Sequence, residues 1–135
     1  KTVLPEHLQP INSWAPYISA PNALSVSAGS GTFFARLKIP RGATITGLKA
    51  FTITAGSPTG TVAVIRVKSS IADFVDAGKI VDVDIATAAP TWGQITATPS
   101  GGASPVIQAG YRYYVRVFLG NAAAIVGAIR VTFNP

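Results

Sequence analysis

Few side chains in this sequence could serve as catalytic acids or bases. Asp82 and Asp84 lie two positions apart in an alternating run, so we expect both on one face of a strand, roughly 7 Å apart. Paired carboxylates occur in glycosidases, but they also occur on any solvated strand face, and we favour the solvated face. A further alternative adds Asp73 and Asp76, which would make an acidic patch that meets a basic patch on a neighbour.

Metal and cofactor sites are not indicated by the sequence. The chain contains no cysteine, and His7, beside Glu6, is its single histidine, so one chain cannot build a thiolate site, a histidine zinc site or a catalytic triad. Asp73 and Asp76 fall far short of the roughly six to eight oxygen ligands of Ca²⁺. The glycine pairs open no helix and form no phosphate loop. We therefore predict a protein that is not an enzyme and has no catalytic residue, metal or cofactor.

Basic side chains dominate the charge, with eleven lysines and arginines against five acidic residues and a formal net charge of +6. If three strands adjoin, alternation predicts one basic face composed of Arg36, Lys38, Arg66, Lys68, Arg112 and Arg116. Phe34 and Tyr114 would lie between them, a combination that binds single-stranded nucleic acid in some proteins. We favour solvated outer faces that discourage edge pairing, and regard nucleic acid as an improbable partner. A third interpretation, between solvated faces and a nucleic-acid site, is a charge-complementary contact with another subunit or with an acidic protein lattice.

Aromatic side chains at alternating strand positions offer another kind of site. Tyr111, Tyr113 and Trp92 could stack on a sugar, as in a jelly-roll lectin. A core or interface role is the more common one for such residues.

The elements that must position these residues are strands. From Thr32 to Phe51 two alternating runs flank Pro40–Gly42, a turn signal, which predicts a strand, a turn and a strand that returns across the sheet. Gly120-Asn121 predicts a second hairpin. The predicted strands are Thr32–Ile39, Thr44–Thr54, Thr61–Ser69, Ile80–Ala86, Thr91–Thr98, Val106–Ile107, Tyr111–Leu119 and Ala123–Phe133. About eight short strands separated by turns predict an all-β, antiparallel β-sandwich or jelly roll at residues 32–135.

Residues 1–31 differ from the rest, because four prolines recur there at short intervals. We predict an extended, proline-rich N-terminal arm that ends in a hinge at Ser27–Gly31. Its large apolar side chains predict an interaction surface: Leu4, Leu8, Ile11, Trp14, Tyr17 and Ile18. Two alternatives stay open: the arm packs on its own domain, or it reaches a neighbouring subunit and adds a strand there.

Only 12% of the residues are charged and 48% are apolar, whereas an average globular protein is about 25% charged. Two interpretations stay open: a compact β protein with a neutral surface, or a protein that hides much of its surface in an assembly, which we favour. No long apolar run is present, so no membrane contact is expected.

Three stretches carry a resemblance to a known family: Leu37–Leu48, Gly110–Val117 and Gly127–Val131. With the apolar arm ahead of them, they resemble the head decoration (capsid-stabilising) proteins of tailed phages, particularly thermophilic ones. The resemblance implies a homotrimer that clamps the major capsid protein on the virion surface, with arms exchanged between subunits. Alternatives are a carbohydrate-binding jelly-roll module of a fibre or surface protein, located extracellularly, and a pilus subunit with a donated strand.

Overall fold

The computed structural model describes residues 1–4, 7–10, 17–20, 23–26, 29–54, 58–70, 78–85 and 93–135. Within these ranges, eleven strands form two antiparallel sheets that pack face to face. The predicted all-β antiparallel sandwich is therefore confirmed, and a jelly roll fits it. No helix among these residues is long and apolar enough to cross a membrane.

The two sheets draw their strands from both ends of the chain. In sheet order, sheet A contains β3 (Tyr17–Ala20), β4 (Ala23–Val26), β11 (Ala124–Asn134), β6 (Thr44–Thr54) and β9 (Gly93–Ala97), and β1 (Thr2–Val3) also pairs with β11. Sheet B contains β2 (Gln9–Pro10), β5 (Gly31–Leu37), β10 (Tyr111–Leu119), β7 (Gly60–Lys68) and β8 (Gly78–Asp84).

The core between the sheets follows the predicted alternation. In β5, Phe33, Ala35 and Leu37 are buried, and in β10, Val115 and Val117 are buried. Successive side chains of a strand point to opposite sides, so the intervening residues lie on the outer face of sheet B. A second, smaller buried cluster lies on that outer face and consists of Ala63, Ile65, Val67 and Tyr114, with Phe34 against it. The β7 strand is therefore buried on both faces.

The two predicted hairpins are wrong, because each turn joins different sheets. At Pro40–Gly42 the chain leaves β5 in sheet B and enters β6 in sheet A, and at Gly120-Asn121 it leaves β10 for β11. The first turn has an Ala43 N–H to Pro40 C=O hydrogen bond of 3.2 Å and a Gly42 φ of 85°, which fit a type II turn. Type II turns splay the flanking strands, so they suit a corner between sheets better than a hairpin.

The segment predicted as an arm is built into both sheets of its own chain. Its β1 pairs with β11, β2 pairs with β5, and β3 and β4 extend sheet A. Leu8 is buried in the main core and Leu4 is half-buried. Tyr17 and Ile18 lie in β3, whereas Ile11 and Trp14 are outside the described residues. The described strands thus correspond to the alternative in which the arm packs on its own domain, and the boundary at residue 31 stays a prediction.

Candidate functional site

A cleft of about 530 Å³ opens at the end of the sandwich where β5 leaves sheet B and β10 enters it. One wall is the segment from Arg36 to Arg41, and the other runs from Ile107 to Tyr113. Ser69, just after β7, also lines the cleft at this end of the sheet. Its volume is within the range of roughly 300–1,000 Å³ that is usual for ligand sites.

The loop that forms the second wall is tied to the body of the sandwich. Gln108 donates its backbone N–H to the Tyr113 hydroxyl at 2.9 Å, and that hydroxyl donates to the Val106 carbonyl at 3.4 Å. Backbone bonds from Ile107 to Ala43 and from Ser69 to Gly110 hold both ends of the loop. A wall fixed in this way needs little ordering when a ligand binds, which favours affinity.

The loop anchorage gives a first testable prediction. Tyr113→Phe removes both hydrogen bonds, so the free energy of unfolding should fall by about 1–2 kcal/mol. Tyr111→Phe is the matched control, because no hydrogen bond joins its hydroxyl to a described residue, and it should change stability by less than about 0.5 kcal/mol. Urea unfolding measures both, and equal midpoints for the two variants would contradict the anchoring role.

The side chains in the cleft are mainly cationic and aromatic. Arg36, Lys38, Arg41 and Arg112 line it, together with Tyr111. The Arg66 guanidinium carbon lies 4.2 Å from the centre of the Tyr111 ring. Arg66 also donates from Nη1 to Oε1 of Gln108 at 2.8 Å. Arg66 therefore positions a tyrosine and an amide that line the cleft.

The predicted six-residue basic face is divided by the strand register. β5, β10 and β7 do adjoin, as that prediction required. Tyr114 pairs with Arg36 and also with Ile65, so Arg36, Arg112 and Arg116 share the outer face, and Lys38 continues their alternation. Arg66 instead pairs with Tyr113 on the inner face, and Lys68, two residues on, points the same way. The prediction of one basic face is therefore wrong for Arg66 and Lys68. Arg66 pairs with Tyr113, which is one residue from the Tyr114 that pairs with Arg36, and neighbouring residues of a strand face opposite sides.

A second, smaller cleft of about 280 Å³ lies beside the first. It shares Arg36 and Lys38 with the larger cleft and adds Lys1, His7 and Val3. The two clefts therefore adjoin at these two residues of the β5 segment. His7 Nδ1 accepts a hydrogen bond from the Leu4 N–H at 3.2 Å, which positions the imidazole at the edge of this groove.

The predicted acidic residues lie elsewhere. Asp82 and Asp84 are exposed on β8, at the opposite edge of sheet B from β5. Asp82 forms an ion pair of 3.1 Å with Lys79. Asp73 and Asp76 lie outside the described residues. Among the residues that the structure describes, no three potential metal ligands form a cluster.

Two residues of the cleft were missed by the sequence reasoning, and one predicted aromatic residue cannot be placed. Arg41 was treated only as part of a turn signal, although the corner between the sheets exposes it in the cleft. No sequence pattern indicates that Gln108 belongs to a site, because its position in the cleft wall depends on hydrogen bonds to Tyr113 and Arg66. Tyr111 and Tyr113 both line the cleft, whereas Trp92 lies outside the described residues.

Comparison with known proteins identifies the fold. No protein-family model matches the chain, and no curated protein is similar to it in sequence. Among solved structures, it is similar to the module CBM6-3 of Clostridium stercorarium in complex with cellobiose, with a TM-score of 0.57, 16% identity, and coverage of 98% of this chain and 92% of that one. The carbohydrate-binding module CBM6cm-2 of Cellvibrio mixtus lichenase 5A, in complex with cellotriose, gives a TM-score of 0.56 at 12% identity, covering 100% and 98%.

A similar structure also occurs inside a larger enzyme. The CBM22-1–GH10 modules of Clostridium thermocellum xylanase 10B, complexed with xylohexaose, give a TM-score of 0.63 at 11% identity. The alignment covers 98% of this chain but only 27% of the xylanase chain. At these identities the likeness shows a shared β-sandwich fold and nothing finer.

The resemblance to phage head decoration proteins is wrong. The similar solved structures are carbohydrate-binding modules instead. The stretches Leu37–Leu48 and Gly110–Val117 are alternating strands and a corner turn, which any β-sandwich of this kind requires. Such a pattern indicates the fold, but it does not indicate that the protein belongs to a virion. The trimer and the arm exchange stay untested predictions, as does the pilus subunit.

Proposed function

We propose that this chain is a non-catalytic carbohydrate-binding module whose site is the cleft between Arg36–Arg41 and Ile107–Tyr113. The observation that carries the proposal is the cleft itself, a preformed groove with a tyrosine, an amide and several cations at one end of the sandwich. The similar folds bound to cellobiose, cellotriose and xylohexaose support it. Such a module acts outside the cell or on its surface, where polysaccharides are found.

The proposed roles follow from the chemistry of sugars. A pyranose ring has an apolar face that packs on an aromatic ring, and hydroxyls that pair with amides and guanidinium groups. Tyr111 would provide the ring, held in place by Arg66. Gln108 would pair with hydroxyls. Its backbone N–H is bonded to Tyr113 and its side-chain oxygen accepts from Arg66, so the side chain is held in place before a sugar binds. None of these contacts requires a catalytic carboxylate, and the described carboxylates lie at the other edge of the sheet.

The test is affinity electrophoresis through gels that contain neutral or acidic soluble polysaccharides. We expect at least one polysaccharide to retard the protein, and Tyr111→Ala to weaken binding by about 10- to 30-fold, because buried aromatic contacts dominate such sites. Gln108→Ala tests the same wall without removing a packed ring. Phe118→Ala is the control, since Phe118 is 38% exposed at the other end of β10. No retardation by any polysaccharide, or equal loss in the control, would overturn the proposal.

A further inference from the structure

The charge of the cleft carries an inference about the ligand, which rests on the proposed function. Arg36, Lys38, Arg41 and Arg112 line one cleft, and none of its described lining residues is acidic. The strand register creates this concentration of charge. Arg36 and Arg112 lie on the same face of neighbouring strands, and Arg41 projects from the turn that follows.

The acidic side chains of the described residues do not offset this charge. Asp82 and Asp84 lie on β8, and β10 and β7 separate that strand from β5. Asp82 is already paired with Lys79. Arg36, Lys38 and Arg41 lie on one short segment of the cleft wall, where like charges repel one another, and an anion that binds between them relieves this repulsion. The net charge of +6 also attracts anions from solution.

An uncharged sugar would not use these side chains well. It would displace water from several guanidinium groups and offer them only uncharged hydroxyl oxygens as acceptors, with no opposite charge. A carboxylate can instead accept paired N–H bonds from a guanidinium group, which are roughly twice as strong as neutral ones. Arg36 and Arg41 are both exposed and belong to the same wall of the cleft, Arg36 in β5 and Arg41 in the turn that follows it, so both guanidinium groups are available to one carboxylate.

The groove also has room for more than one sugar unit. The smaller cleft adjoins the larger one at Arg36 and Lys38, and it adds the Lys1 side chain. Lysine and arginine side chains therefore line both clefts. A polymer with one carboxylate on each unit would meet a cation at successive positions.

We propose that the groove binds an acidic polysaccharide, of the uronic-acid class, in preference to neutral glycans. The test is isothermal titration calorimetry of the 135-residue chain with three probes. These are a galacturonate oligomer, its fully methyl-esterified form, and a single-stranded oligothymidylate. The first two share one backbone and differ only in charge. We expect the acid to bind at least about tenfold more tightly than the ester, and its affinity to fall steeply with added salt.

Two double variants with the same change in net charge make the test specific. Arg36→Gln with Arg41→Gln should weaken binding of the acid on the order of 100-fold, because two charge-assisted contacts are lost. Lys49→Gln with Arg130→Gln removes two cations that line neither cleft, and it should weaken binding by less than about threefold. Thermal unfolding checks that both variants are folded, which we expect because Arg36, Arg41 and Arg130 are exposed.

The outcomes distinguish failure of this inference from failure of the proposed function. Equal affinity for the acid and the ester would overturn this inference and leave the proposed function standing. Binding of neither sugar probe, with no retardation by any polysaccharide in the gels, would overturn the proposed function itself. Oligothymidylate that binds as tightly as the acid, with the same loss in the cleft variant, would overturn the inference in favour of a nucleic-acid site.

Discussion

Removal of residues 1–10 should destabilise the sandwich severely, lowering the free energy of unfolding by about 4–8 kcal/mol. Val3 and Leu8 are both buried in the main core, and Leu8 is only 2% exposed. The β1 strand also covers part of β11, and the Val131 N–H donates to the Lys1 carbonyl at 2.8 Å. Because a domain is stable by only about 5–15 kcal/mol, the truncated chain should be close to unfolding at 25 °C. Urea unfolding with linear extrapolation measures the difference.

Two point variants separate core packing from other effects of the truncation. Leu8→Ala should cost about 2–5 kcal/mol, since it leaves a cavity in a packed core. Its neighbour Gln9 is exposed, so Gln9→Ala should change stability by less than about 0.5 kcal/mol. A truncated chain that unfolds at the same urea concentration as the full one would mean that this segment does not contribute to its own core. The exchange of arms between subunits would then regain support.

Local pattern was sufficient to predict most of the strands after residue 31, whereas β1–β4 were predicted only as an extended arm and the predicted strand Val106–Ile107 forms a single bridge from Val106 to Thr44. β6 and β10 have the predicted bounds, Thr44–Thr54 and Tyr111–Leu119. Gly42 has the positive φ expected of the turn. These features depend on residues that are neighbours in sequence, because alternation and turn chemistry are local.

Sheet membership and the site could not be predicted in the same way. Nothing local indicates that Pro40–Gly42 joins two sheets, or that the arm strands pair with β11 and β5. The cleft depends on both facts, because the corner turn presents Arg41 opposite the loop that carries Gln108. The register between β7 and β10 then decides which arginines share a face. Such pairings are made between distant parts of the chain and are set by the burial of whole sheets.

The second large effect is expected on the outer face of sheet B. Ile65 is fully buried there, beside Ala63 and Tyr114, although a sandwich is usually packed only between its sheets. Ile65→Asp would place a carboxylate in an apolar cluster and remove a packed side chain. We expect a loss of more than about 4 kcal/mol, measured by thermal or urea unfolding. If the variant does not accumulate as soluble protein, Ile65→Ala should give about 2–4 kcal/mol and keep the test open.

Phe118→Asp is the matched control for this face. Phe118 lies four residues from Tyr114 on β10, hence on the same side of the sheet, but it is 38% exposed. Its substitution should cost less than about 1 kcal/mol. If Ile65→Asp were tolerated as well as Phe118→Asp, the outer face would be open, and Phe34 and Tyr114, whose rings meet edge to face with centroids 5.8 Å apart, could form an aromatic platform for sugars. The expected large difference would instead support the end cleft, which combines Tyr111 with several cations, as the place of the proposed glycan site.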